Sequence, residues 1–91
     1  MKYNFYRSTA GPSGLEPDGE PVATLVLDQN GEPTWTSLSK GFEVLCLPSF
    51  KNPMVYDEDG ALQQFEPYSP AALKHLAEVV LPAKGFVLRK L

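Results

Sequence analysis

Residues 69–91 read SPAALKHLAEVVLPAKGFVLRKL, and the fold turns on how this stretch is understood. Ser69 precedes Pro70, so its side chain can cap a helix while the proline takes the first turn, where a missing N–H costs nothing. Ala72, Leu73, Leu76, Val79 and Val80 then fall on one broad face, with Lys74, His75 and Glu78 on or beside the opposite one. Pro82 is expected to stop this helix over 70–80, and Gly85 to release the chain into a strand from Phe86 to Leu91. A single amphipathic helix needs a sheet to cover its apolar face.

The strands to build that sheet lie upstream. Tyr3 and Phe5 alternate with Lys2, Asn4 and Tyr6, the pattern of a half-buried strand. Val22 to Leu27 is a β-branched and aliphatic run, followed by Asp28-Gln29-Asn30-Gly31 and the returning Thr34-Trp35-Thr36. Asn-Gly supplies the positive φ that tight hairpins require. Met54-Val55-Tyr56 and Ala61 to Phe65 flank Asp57-Glu58-Asp59-Gly60 and predict a second hairpin. Leu38 to Leu47 fits two templates. Phe42, Val44 and Cys46 alternate as in a strand, whereas Leu38, Phe42, Leu45 and Cys46 make a helical stripe. Gly41 and the Val and Cys content favour the strand, and Pro48 is expected to end the element either way.

Between the first two strands, residues 7–21 lose all periodicity and are rich in Gly, Pro and Ser, which predicts a flexible loop. The expected architecture is therefore α+β. A mixed, mainly antiparallel sheet of about five to seven short strands carries one C-terminal amphipathic helix on one face. Residues 1–91 make a single small domain, because a second core would not fit in this length.

Composition narrows the function classes. The net charge is −3 and the isoelectric point is near 5.0, with lysines and arginines scattered. Nucleic acid is a poor partner for such a surface. No apolar run approaches the roughly 20 residues that span a bilayer, so no membrane partner is expected. Cys46 is the single cysteine; it excludes an internal disulfide and agrees with a reducing, cytoplasmic location.

Chemistry finds little purchase. The D-x-D-G turn at 57–60 resembles the middle of a calcium loop, but the first ligand position would be Val55 and no helices flank it. One cysteine and one histidine cannot make a zinc site, and no metal or other cofactor is expected. Cys46 lies in an apolar segment where a thiol is core filler, and His75 reads as a surface or rim residue. There is no phosphate-cradling loop and no nucleophile elbow. Segment 26–31 resembles 55–60, which shared turn chemistry explains without an internal repeat.

Ten aromatic residues exceed what one small core readily encloses, so some are expected on a binding face or subunit interface. The candidate interface or binding residues are Tyr3, Phe5, Trp35, Tyr56, Tyr68 and His75, and the aromatic sheet face that the helix leaves open is the expected place for a site. The preferred reading is a non-enzymatic interaction domain, accessory or regulatory to another protein and self-associating through its sheet or an edge strand. The alternative is a small enzyme or ligand-binding domain with a pocket near His75 and Tyr68.

Overall fold

The Tyr3/Phe5 alternation does mark a strand, but that strand runs well past Tyr6. In the computed structural model, which describes residues 1–91, β1 spans Lys2–Gly11 and β2 spans Gly14–Leu27. They pair antiparallel from Lys2 opposite Val26 to Gly11 opposite Gly14. The structureless loop expected over 7–21 is thus a two-stranded ribbon turning at Pro12-Ser13. Its side chains show no apolar alternation because most are exposed and neither face covers a core. Backbone pairing alone builds it, and that leaves no mark on hydrophobic periodicity.

A bulge separates ribbon from sheet. From Phe5 to Arg7, β1 advances two residues while β2 advances five, from Ala23 to Asp18. The bulged segment includes Gly19, at φ 73°, and Pro21. Its last residue, Val22, packs against the core and accepts the Ser39 N–H at 2.8 Å. The bulge therefore anchors the chain just where the first helix begins.

β3 (Pro33–Thr36) pairs antiparallel with β2, placing Trp35 opposite Leu25. The connecting turn and the later turn at 57–61 are built alike. Asp28 Oδ1 accepts the Asn30 and Glu32 N–H groups at 2.8 and 2.9 Å, and Gly31 takes φ 80°. Asp57 Oδ1 accepts the Asp59 and Ala61 N–H groups at 3.0 and 2.8 Å, and Gly60 takes φ 81°. Both are three-residue hairpin loops closed by a left-handed glycine, so the sequence echo is one turn solution used twice.

The segment around Cys46 is α1 (Lys40–Lys51), not the favoured strand. Ser39 Oγ caps it by accepting the Phe42 N–H at 3.4 Å. Phe42, Cys46 and Phe50 fall at i, i+4 and i+8 and are fully buried, whereas Val44 and Leu45 are exposed. A strand would have required both of its faces to be covered; a helix buries one stripe. Pro48 does not end the element. It lies inside α1, where the carbonyl it leaves without a donor belongs to Val44, a residue on the solvent side. The helix closes beyond it with Asn52 N–H donating to the Pro48 carbonyl at 3.0 Å.

β4 (Met54–Tyr56) and β5 (Leu62–Gln64) form the expected second hairpin, as a separate two-stranded sheet. α2 (Pro70–His75) starts as its sequence dictates, with Ser69 Oγ accepting the Ala72 N–H at 3.2 Å. It continues through a π turn (Leu76–Val80) into α3 (Leu81–Lys84), so Pro82 does not stop it. The wide turn, in which the Leu81 N–H reaches back to the Leu76 carbonyl, shifts the ladder just ahead of the proline ring. Gly85, at φ 85°, ends the helix in the proline's place and releases the chain into the closing strand as expected.

β6 (Phe86–Lys90) returns antiparallel to β1, giving the four-stranded order β3-β2-β1-β6. The fold is α+β, with the sheet antiparallel throughout and helices from both α1 and the C-terminal segment on one face. Phe5 sits at the centre of the core, with ring centroids 5.0 Å from Phe42, 5.3 Å from Trp35 and 5.5 Å from Phe50. Phe86 meets Phe42 edge-on at 5.2 Å.

Candidate interaction surface

The six candidate residues separate into three groups. Tyr3 and Phe5 are buried on the helix-covered face, and Trp35 packs against the same core from β3. Tyr68 belongs with them: its hydroxyl accepts the Trp35 Nε1–H at 2.9 Å, and its ring stacks on Phe50 at 6.2 Å. These four are structural. The aromatic excess is largely an aromatic core, which corrects the expectation of an aromatic open sheet face.

The open face carries Asn4, Tyr6, Thr24, Thr34 and Thr36 instead, with Val26 and Val87 half-buried among them. Thr24 Oγ1 donates to Asn4 Oδ1 at 2.8 Å, and Asn4 Nδ2 donates to the Tyr6 hydroxyl at 3.4 Å. Such a hydrogen-bonded polar ladder is at ease in water.

His75 forms the second group. Its ring stacks on Phe65, with centroids 5.2 Å apart, and lines a hollow of about 200 Å³ with Ser49, Asn52, Pro53, Met54, Leu76 and Val80. The hollow lies between the end of α1, the start of β4 and the π turn. Neither Tyr68 nor the 7–21 ribbon lines it, so the pocket expected near His75 and Tyr68 does not bring those two together. Its volume is below the roughly 300 Å³ at which ordinary small-molecule sites begin.

Cys46 does not line that hollow. It is fully enclosed under α1, and burial pushes its thiol up to about 11, against a smaller opposite pull from Lys84. A thiol protonated at neutral pH is a poor nucleophile. The carboxylate of Asp57 is likewise engaged, accepting two turn N–H groups at Oδ1 and the Gln63 side-chain amide at Oδ2.

Tyr56, the third group, is 72% exposed on β4, opposite Leu62 of β5, and other apolar side chains are exposed as well. Val44 and Leu45 on α1, Met54 on β4, Leu62 on β5 and Val79 on the π turn are all exposed. Along the outer side of α1, Glu43, Val44, Leu47, Pro48 and Lys51 line a shallow trough of about 530 Å³. The signal for it was present in the helical alternative for 38–47: once Phe42 and Cys46 take the buried stripe, Val44, Leu47 and Pro48 are left off it.

No protein-family model, curated protein or solved structure matches this chain. No helix is long and apolar enough to cross a membrane.

Proposed function

We propose that this chain is a non-enzymatic protein-interaction domain, accessory or regulatory to another protein, that self-associates as a homodimer in the cytoplasm. The observation that carries this reading is where its apolar side chains stand. Val44, Leu45 and Val79 are displayed on the helical segments and Met54, Tyr56 and Leu62 on the small hairpin. Each costs free energy in water that contact with another surface would recover, about 25 cal/mol per Å².

The groups able to do chemistry support the same reading. Cys46 is enclosed and protonated, and His75 stacks on Phe65 beside a small hollow. The lone buried thiol also suits a reducing compartment. Protein is the partner class proposed, with neither nucleic acid nor membrane.

Sedimentation velocity on the purified chain, from about 10 µM to about 500 µM, tests self-association over the range in which small interfaces dissociate. The expected result is a weight-average sedimentation coefficient that rises from monomer towards dimer. A monomer at every concentration overturns the reading.

A further inference from the structure

Resting on that reading, we infer that the homodimer forms by antiparallel, two-fold packing of α1 against α1 of a second copy, centred on Leu47. The trough on the outer side of α1 is apolar in the middle, at Val44, Leu47 and Pro48, with Glu43 at one end and Lys51 at the other. Glu43 and Lys51 lie four residues before and four after Leu47. At 1.5 Å per residue the two charges are about 12 Å apart, with Leu47 midway.

This spacing makes the surface complementary to itself. A two-fold axis through Leu47 sets each α1 antiparallel to its mate. Glu43 then faces the mate's Lys51 at both ends, and Leu47 meets its own copy. Val44, which is 63% exposed, and Pro48 flank that central contact. A parallel arrangement would instead set Glu43 beside Glu43 and Lys51 beside Lys51. Charge pattern therefore selects both the partner and its direction.

The opposite face of α1 is committed to the core through Phe42, Cys46 and Phe50, so the helix presents the trough on a fixed platform. Lys84 Nζ also holds the Leu45 carbonyl at 2.6 Å, tying α1 to the end of α3. An interface of one helix and its margins buries on the order of 1,000 Å² in total, at the low end for specific association.

Glu43 and Lys51 have a second effect, because an acid in the first turn and a base in the last both suit the helix dipole. Charge reversal separates the two roles. In the dimer, Glu43→Lys alone or Lys51→Glu alone creates two like-charge contacts, whereas the double variant restores opposite pairs. Against the dipole, the two reversals add.

Sedimentation velocity on the wild type, both single variants and the double variant at low salt is the test, with near-UV circular dichroism confirming the fold of each. Each single reversal is expected to weaken the dimer at least about tenfold, and the double variant to return to within about threefold of the wild type. Dimers of unchanged affinity in both single variants, or a double variant weaker than either, overturn the α1 interface while leaving self-association standing; an edge strand such as β6 would then be the joint. A wild type that remains monomeric overturns both readings.

Discussion

The Trp35 indole N–H donates to the Tyr68 hydroxyl at 2.9 Å, joining the edge strand β3 to the start of the C-terminal helical segment across 33 residues. Tyr68 sits at φ 62°, a left-handed conformation unfavourable for a side chain of its size. Its ring is gripped between Trp35 and Phe50, and that packing holds the backbone there. Tyr68→Phe keeps the ring but removes the acceptor. The expected loss is about 1 kcal/mol, from an indole N–H left without its partner in a half-buried site. Urea denaturation measures it, and an unchanged midpoint would show that the bond adds nothing.

Phe5 is the residue for which the expected and observed roles differ most. As part of an exposed binding face it would tolerate truncation; as the hub of the core it cannot. Phe5→Ala should cost about 3–5 kcal/mol, a large share of the roughly 5–14 kcal/mol available to a domain of this length. Its urea denaturation midpoint, followed by circular dichroism, should fall accordingly. A cooperative transition within 1 kcal/mol of the wild type, an allowance about the size of an average point-mutation effect, would contradict the core assignment.

Cys46 supplies a pH signature. Burial raises its thiol from 9.0 to about 11, so the folded chain holds the proton more tightly than the unfolded one. The corresponding stability is fully present below the unfolded value and falls as pH rises from 9 towards 11. The loss across that window is on the order of 2 kcal/mol. Denaturation midpoints for the wild type and Cys46→Ala, followed from neutral to alkaline pH, isolate this effect from other titrations. The wild type should lose stability faster than the variant above pH 9; parallel curves would refute the assignment.

Elements whose local signals agreed were legible in the sequence. Ser69 and Pro70 start the C-terminal helical segment, Gly85 ends it, and the Asp28 and Asp57 turns close hairpins, because capping and turn chemistry act within a few residues. Elements decided by distant packing were not. The 7–21 ribbon has no side-chain pattern to read, since backbone pairing alone builds it. α1 was obscured because Val44 and Leu45 are apolar yet exposed, filling the helical wheel with residues that imitate a strand. That misreading also hid the candidate surface. A helix that displays apolar residues on its outer side and then carries a proline shows neither clean periodicity.

The most direct test of the α1 interface is symmetric cross-linking. In a Cys46→Ala background, Leu47→Cys places one thiol beside the two-fold axis, and Thr34→Cys places one on the polar sheet face as a control. Mild oxidation at a concentration that populates the dimer should convert most of the Leu47→Cys protein to a covalent dimer and leave the Thr34→Cys protein monomeric. Equal yields from the two, or a higher yield from Thr34→Cys, would contradict the account.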